Sequence, residues 1–235
     1  KKGMTNRSFL FDYQGIKHIM RIPGEGTDQL INRRNEAAVY QTIQDKHICD
    51  DIEYINPENG YKLTRFLDNA RVCDPLSTED ITKCMKKLRS FHDLKLKVNH
   101  RFDLFGQIDF YETLWEGKAS VYRDYQKTKA EVFALKNYID KYAADEVLTH
   151  IDAVPDNFLF CTDSSGNEDI RLIDWEYAGM QDPHVDIAMF SIYAFYTRKQ
   201  IDQLIDIYFN GNCPDTTRIK IYCYVAIAGL LWSNW

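Results

Sequence analysis

One short polar segment constrains the fold and chemistry of this chain more than any other feature. Residues 150–157 read HIDAVPDN and place a His, Asp152 and Asn157 in the spacing H-x-D-x-x-x-x-N. A short apolar segment at 170–173 follows and ends at Asp174. In phosphoryl transfer, a carboxylate accepts the proton of the attacking hydroxyl, while an Asn and an Asp hold Mg²⁺ against the nucleotide phosphates. The pattern predicts a phosphotransferase with Asp152 as base and with Asn157 and Asp174 as metal ligands.

Length and charge exclude several other classes of protein. A chain of 235 residues can form one large domain or two lobes with a substantial core. No segment has the apolar length of a membrane span, and the first residues lack a signal-peptide profile. The net charge of -6 argues against a nucleic-acid partner, which would need a basic face. We expect a protein that is not inserted in a membrane and that acts on a small molecule.

The cysteines favour a cytoplasmic location. Six are scattered along the chain without a C-x-x-C pair or a His at metal-ligand spacing. Reduced thiols are typical of cytoplasmic proteins, so a zinc site and a disulfide framework are both disfavoured. The chain starts at Lys1 rather than Met and ends at Trp235 without a helix-stop signal. Whether further residues at either end complete the protein stays open.

Hydrophobic periodicity divides the chain into a β-rich first part and a helical second part. The first part contains predicted strands at 7–13, 16–22, 51–55 and 61–66 and a helix within 28–44. In the second part, Ser77 is a good N-cap for a helix, and further helices are predicted at 107–127, 129–144, 186–197, 201–210 and 216–232. A hairpin at 158–161 and 170–174 interrupts them. The predicted fold is α+β and two-lobed, like a protein kinase, with residues 1–69 as the N-terminal nucleotide-binding lobe and 70–235 as the C-terminal catalytic and substrate-binding lobe.

The start of the chain offers groups for phosphate binding. Thr5, Asn6 and Ser8 lie in a short polar segment where the chain enters the first strand, and its backbone N–H groups and hydroxyls can face phosphate oxygens. With one glycine the segment is a weak phosphate loop, and a polar turn entering a hairpin is the alternative.

Two charged residues at the next elements extend this nucleotide site. Arg21 ends the second strand, where kinases place a cation against the α- and β-phosphates, and Glu36 in the following helix is the acid expected to brace it. A solvated strand-end Arg and a surface Glu are the alternative. By position alone, Arg65 falls in the hinge at 65–67, where backbone groups would face the adenine of ATP.

Taken together, these residues resemble the choline/ethanolamine kinases, and most closely the bacterial choline kinases. The similarity is carried by the sequences GMTN at 3–6, MRI at 20–22 and IDWEYA at 173–178, together with Glu36 and the 150–157 motif. The wider group is the aminoglycoside-phosphotransferase-like kinases, which share the two-lobed fold. The resemblance implies ATP and Mg²⁺ as cofactors and the same roles for Asp152, Asn157 and Asp174. It also implies that Arg21 contacts the phosphates and that His150 supports the loop.

The acceptor end is predicted from aromatic residues. A quaternary ammonium cannot donate hydrogen bonds, so aromatic faces and carboxylates must recognise it, and each desolvated cation–π contact contributes about 1–2 kcal/mol. Trp232 and Trp235 are spaced i, i+3, as are Tyr193 and Tyr196, so each pair shares a helix face. The resemblance implies a matching Trp pair in the choline site. Glu176 and Tyr177, directly after Asp174, complete the predicted substrate-binding set. The alternative is that such pairs lie in the core, as most aromatic pairs do.

Three functions remain open at this point. The leading one is phosphorylation of choline to phosphocholine, with ATP converted to ADP. The second is phosphotransfer to ethanolamine or an aminoglycoside, although a polycation would call for a more acidic and less aromatic pocket. The third is a catalytically silent kinase-like binding protein, which the presence of Asp152, Asn157 and Asp174 disfavours. The oligomeric state is not readable from these residues.

Overall fold

A four-stranded antiparallel sheet forms the first part of the molecule. The computed structural model describes residues 6–162 and 165–234. The strands β1 (Asn6–Tyr13), β2 (Ile16–Pro23), β3 (Ile52–Ile55) and β4 (Lys62–Arg65) are arranged in the order β1-β2-β4-β3. In the β2–β4 pair, Arg21 lies opposite Lys62. Residues opposite each other in an antiparallel pair share one face, so these two cations lie side by side.

The predicted helix within 28–44 is divided in two. A 3-10 turn covers Thr27–Gln29, and α1 begins later, over Arg33–Ile43. The Asn32 side chain accepts hydrogen bonds from the backbone N–H groups of Arg34 and Asn35, at 3.1 Å each. This cap satisfies donors that a helix leaves unpaired at its first turn, which sets the start of α1.

The second part is largely helical. Its helices are α2 (Thr78–Asp93), α3 (Leu104–Thr113), α4 (Tyr125–Ala134), α5 (Lys136–Lys141), α6 (His184–Tyr193), α7 (Arg198–Tyr208) and α8 (Asp215–Ser233). The Ser77 side chain caps α2 as predicted, accepting from the N–H of Asp80 at 3.2 Å. The single helix predicted over 107–127 is wrong, because α3 ends at Thr113 and a loop precedes α4. Glu116 and Gly117 in that loop both have positive φ, which a continuous α-helix does not accept.

Short strands in the second part hold the predicted catalytic hairpin. The strands β5 (Arg71–Val72), β7 (Phe158–Thr162) and β8 (Glu168–Leu172) form one antiparallel sheet in the order β5-β7-β8. A two-stranded sheet pairs β6 (Val147–Thr149) with β9 (Gly179–Gln181), so it brackets residues 150–178. The β6–β9 pair was absent from the sequence prediction, because each strand has only three residues and carries no periodic signal.

Two hydrophobic clusters anchor these elements. One joins α1, α2 and α7 to the β7–β8 hairpin, and the other joins α3, α4, α6 and α8. A β-sheet in the first part and a helical second part agree with the predicted α+β fold class. The boundary at residues 69 and 70 stays a prediction. In the described part of the chain, no helix combines the length and the apolar character that a membrane crossing requires.

Candidate active site

A cavity of about 750 Å³ brings together side chains from both parts of the chain. Most of the predicted site residues line it, namely Asn6, Ser8, Arg21, Arg65, Asp152, Asn157, Asp174, Glu176, Tyr177, Tyr193 and Trp232. Thr5 and Trp235 lie outside the described residues. Glu36 and Tyr196 are described but are not among the residues that line this cavity.

The loop at residues 150–157, predicted to be catalytic, is anchored by Asp186. The Asp186 carboxylate accepts hydrogen bonds from the backbone N–H groups of His150 and Ile151, at 2.9 and 2.7 Å. Ile151 has φ of 68°, an unfavourable conformation for a β-branched residue, so these bonds hold a strained turn in place. The His92 ring lies 3.0 Å from the same carboxylate. The loop geometry is therefore fixed by a buried anchor on α6.

His150 supports the loop rather than reacting. Its side chain is fully buried, and burial lowers its pKa to about 4, so the ring is neutral near pH 7. The ring Nε2 lies 2.9 Å from the carbonyl oxygen of Ile173 and, as the N–H of a neutral ring, donates to it. This bond connects the catalytic loop to the residue before Asp174, so the two halves of the motif are placed relative to each other.

Asp152 and Asn157 form a hydrogen-bonded pair at the cavity. The Asn157 amide nitrogen donates to the Asp152 carbonyl oxygen at 2.8 Å and to its Oδ2 at 3.1 Å. The other carboxylate oxygen, Oδ1, is buried and has no hydrogen-bond partner among the described residues. Burial raises the pKa of Asp152 to about 8, and the negative charge of Asp174 contributes to the rise. A carboxylate with a pKa near 8 can accept a proton near neutral pH.

Asp174 is presented to the cavity by a strained turn after β8. The φ angle of Asp174 is 67°. The next residue, Trp175, is fully buried and fixes the position of the turn. The Trp175 indole N–H donates to the Leu172 carbonyl oxygen at 2.8 Å, and its ring meets the Phe91 ring edge-on at 5.1 Å. Burial raises the pKa of Asp174, and the nearby cations Lys62 and Arg21 oppose that rise.

The donors near Asp174 suit Mg²⁺ bound together with a nucleotide. Since the Asn157 amide nitrogen is used in hydrogen bonds, its oxygen is the atom available to a metal, and the Asp174 carboxylate lines the same cavity. No group of three or more His, Cys, Asp and Glu side chains is arranged to hold a metal within residues 6–162 and 165–234. Mg²⁺ is commonly bound by one or two protein oxygens plus substrate phosphates, so a two-donor site fits this ion.

Arg21 is held in a bidentate ion pair. Its Nη1 and Nη2 donate to Glu36 Oε1 and Oε2 at 2.5 and 2.7 Å, and both side chains are buried. Burial alone would lower the pKa of Arg21, but Glu36 raises it above the ordinary value, so the group stays charged. Arg21 Nη1 also lies 3.8 Å from Asp174 Oδ1. The structure thus pairs Arg21 with Glu36 and places Arg21 near Asp174. The contact of Arg21 with ATP stays a prediction.

Sequence reasoning missed two buried cations beside Arg21. Arg33 Nη1 lies 3.2 Å from both Glu36 Oε2 and Glu176 Oε2. Lys62 lines the cavity, and its Nζ donates to the Tyr40 hydroxyl at 2.5 Å. Arg33 stands three residues before Glu36, a helical spacing that could have identified it. Lys62 is revealed only by the register that sets β4 against β2.

Three aromatic residues that line the cavity lie close to one another. The Trp232 ring meets the Tyr177 ring edge-on at 5.2 Å and the Tyr193 ring at 6.4 Å. The Trp232 indole nitrogen lies 2.9 Å from the Met189 sulfur, which fixes the ring. Three aromatic side chains from the 173–178 segment, α6 and α8 therefore face one end of the site.

Tyr196 does not line the cavity, and its contact with the substrate stays a prediction. Its hydroxyl donates to the Pro75 carbonyl oxygen at 2.6 Å, and its ring packs against Phe190 in the core. Tyr196 follows the end of α6, so the helical i, i+3 spacing from Tyr193 no longer places the two rings on one face. Arg65 keeps its place at the cavity, where its Nε donates to Glu53 at 2.8 Å.

Similarity to known proteins assigns the family. The sequence profile of the choline/ethanolamine kinases matches residues 1–223. The chain belongs to the choline/ethanolamine kinase family. It is 29% identical over 248 residues to the protein LicA of Haemophilus influenzae, which covers 99% of this chain and 70% of that protein.

Solved structures of this family share the fold. The choline kinase LicA from Streptococcus pneumoniae superposes with a TM-score of 0.85 at 27% identity, over 100% of this chain and 82% of that one. A structure of LicA in complex with AMP gives a TM-score of 0.81 at 27% identity, over 100% and 80% of the two chains. The two-lobed kinase fold is thereby confirmed, and the protein is a phosphotransferase of the family that acts on small amino alcohols.

Proposed function

We propose that this protein phosphorylates the hydroxyl group of choline, converting ATP to ADP and releasing phosphocholine. The observation that carries the proposal is that one cavity joins two chemically different ends. Arg21 and Asp174 line the end suited to phosphates, and Tyr177, Tyr193 and Trp232 line the end suited to an apolar cation. Asp152 lines the same cavity. The AMP bound by a similar LicA and the choline kinase activity named for its Streptococcus pneumoniae relative both support this assignment.

In this proposal Asp152 accepts the hydroxyl proton of choline. Its Oδ2 accepts a hydrogen bond from the amide of Asn157, and its Oδ1 has no hydrogen-bond partner among the described residues. Arg21, fixed by Glu36, contacts the phosphates and balances their charge. Asn157 and Asp174 would hold Mg²⁺, which when bound stabilises the negative charge of the transferring phosphoryl group. The transfer needs no covalent bond to the protein, so positioning and charge account for the rate.

Choline is favoured over ethanolamine and aminoglycosides because the acceptor end is aromatic. An ammonium that keeps its N–H groups needs acceptors, whereas trimethylammonium is attracted to ring faces. Glu176, the predicted acid next to Tyr177 in sequence, accepts hydrogen bonds at Oε2 from Asn6 at 2.9 Å and from Arg33 at 3.2 Å. Because this oxygen already accepts hydrogen bonds from Asn6 and Arg33, the aromatic rings provide the main attraction for the acceptor's cationic group.

A coupled ADP-release assay tests the proposal. It compares choline, ethanolamine and kanamycin at saturating ATP and Mg²⁺, with Asp152→Asn as the inactive variant. Asp156→Asn is the matched control, because Asp156 lies on the same loop and lines the same cavity, with its side chain exposed and no predicted role in proton transfer. We expect the highest kcat/KM with choline, lost in Asp152→Asn and kept in Asp156→Asn. Turnover with kanamycin and none with choline would overturn the assignment, and no turnover with any acceptor would favour a silent binding protein.

A further inference from the structure

Arg33 makes contacts that a simple surface helix residue would not make. It stands at the first position of α1, yet its side chain is only 5% exposed. Its Nη1 lies between two carboxylates, 3.2 Å from Glu36 Oε2 and 3.2 Å from Glu176 Oε2. Glu36 belongs to α1 and Glu176 to the segment after Asp174, so a single guanidinium nitrogen joins the two parts of the fold.

The other guanidinium nitrogen of Arg33 faces the start of β1. Nη2 donates to Thr27 Oγ1 at 3.1 Å and lies 3.5 Å from Asn6 Oδ1. The Asn6 amide in turn donates to Glu176 Oε2 at 2.9 Å. Asn6 lines the cavity and belongs to the segment predicted to face the phosphates. The contacts of Arg33 therefore close a ring through Asn6 and Glu176 at the nucleotide end.

Charge explains why this arginine is needed. Arg21 Nη1 lies 2.5 Å from Glu36 Oε1 but also 3.8 Å from Glu176 Oε2 and 3.8 Å from Asp174 Oδ1. Three carboxylates thus compete for Arg21 in a site where reduced solvent strengthens each attraction. Arg33 supplies Glu176 with a cation of its own, which leaves Arg21 in the bidentate pair with Glu36.

The turn before β4 is shaped to admit the Arg33 side chain. Gly60 has φ of +69°, and a Cβ added there would lie 2.5 Å from Arg33 Cδ. The Gly60 carbonyl oxygen also accepts from Arg21 Nη2 at 3.2 Å. Gly60 leaves room for the aliphatic part of Arg33 and accepts a hydrogen bond from Arg21, so both arginines are positioned by the same turn.

We propose that Arg33 is a positioning residue for nucleotide binding: by pairing with Glu176, it keeps that carboxylate from drawing Arg21 away from the phosphates. This inference rests on the proposed function, since it assigns Arg21 to the phosphates of ATP. It predicts that loss of Arg33 weakens nucleotide binding while the aromatic acceptor end is little affected.

The test compares Arg33→Met with Arg34→Met, its neighbour in sequence. Arg34 is 73% exposed and pairs with Glu58 at the surface, so it is a matched control for removing one arginine from α1. We expect Arg33→Met to raise KM for ATP about tenfold and KM for choline by less than about twofold, as for a lost charge-assisted contact. Arg34→Met should leave both constants unchanged. Calorimetric titration with ADP and Mg²⁺ should give a matching rise in Kd for Arg33→Met.

A double-mutant cycle with Glu176→Gln separates positioning from folding. If Arg33 acts by neutralising Glu176, Arg33→Met should weaken ADP binding much less in the Glu176→Gln background than in the wild type. Thermal unfolding shows whether each variant is folded. Wild-type ADP affinity in folded Arg33→Met, or an equal loss in both backgrounds, would overturn the proposal.

Arg33→Lys serves as a second variant, and the outcome for choline phosphorylation is judged separately from the ADP titration. If Arg33→Met does not fold, Arg33→Lys takes its place; its ammonium keeps the charge but lacks the fork that spans Glu176 and Thr27. We expect an intermediate ADP affinity for Arg33→Lys, and an affinity equal to the wild type would count against the fork geometry. Failure of the wild type to phosphorylate choline would refute the proposed function, whereas the ADP titration would still decide the role of Arg33.

Discussion

Replacing Asp152 with Asn should remove phosphoryl transfer and at the same time make the metal-free protein more stable. The side chain keeps its size and its contact with Asn157, but the carboxylate charge disappears. Burial and Asp174 raise the pKa of Asp152 from 3.8 to about 8, so the folded protein disfavours the ionised form. Because the neutral amide carries no such penalty, the same substitution should lower activity and raise stability.

The magnitude follows from proton linkage. A tenfold change in proton affinity corresponds to about 1.4 kcal/mol, so a pKa moved from 3.8 to about 8 gives an upper bound of about 6 kcal/mol. Asp152 lines an open cavity, where solvent screens its charge, so we expect about 2 kcal/mol. In a chain of this size that raises Tm by about 4–8 °C. Loss of the base should lower kcat by about 10²–10⁴-fold.

The pH dependence gives this prediction its sign. A pKa raised by folding contributes stability that is fully present below the unfolded value near 3.8 and is lost as the pH rises through about 8. The wild type should therefore lose stability relative to Asp152→Asn between about pH 4 and pH 8, with a constant difference above that range. Thermal unfolding in EDTA from pH 5 to 9 measures the gap, with Asp156→Asn as control. A gap that does not change with pH, or a less stable Asp152→Asn, would refute the reasoning.

Three other substitutions test the acceptor end and the core. Trp232→Ala should raise KM for choline about 5–30-fold with little change in KM for ATP, since one cation–π contact contributes about 1–2 kcal/mol; equal changes in both constants would contradict this. Tyr196→Phe should leave KM for choline unchanged and lower the free energy of unfolding by about 1 kcal/mol, because only its hydrogen bond to Pro75 is lost. Lys220→Met should destabilise the protein by about 3–5 kcal/mol in chemical denaturation, because it leaves the buried Asp182 carboxylate without its cation. A loss below about 1 kcal/mol would mean that the pair is not needed.

The periodicity of apolar residues predicted the bounds of a strand and a helix near the site to within one residue. The strand predicted at 16–22 is observed as Ile16–Pro23, and the helix predicted at 216–232 as Asp215–Ser233. Both are marked by periodic apolar residues, which depend on neighbours in sequence. The helix predicted over 107–127 was wrong because its apolar residues continue through a loop in which backbone conformation ends the helix.

Contacts between distant segments were predicted less well. Tyr196 has the spacing of a site residue but packs, partly buried, against the hydrophobic core, because α6 ends before it. Arg33 and Lys62 were missed because their importance depends on Glu176 and Asp174, which lie more than 100 residues away. A local sequence pattern cannot identify a side chain whose contact partners come from a distant segment of the chain.

The sequence by itself predicted the type of chemistry, because phosphoryl transfer uses a base and oxygen ligands for a metal ion. The 150–157 motif and Asp174 provide residues of these types within a short stretch of chain. Only the tertiary structure decided which charges face each other across the cavity. Arg21 meets Asp174 and Glu176, and Arg33 meets Glu176, where the sheet of the first part approaches the segment after β8. Electrostatic attraction depends on distance and burial, and neither is defined until the two parts of the chain have packed together.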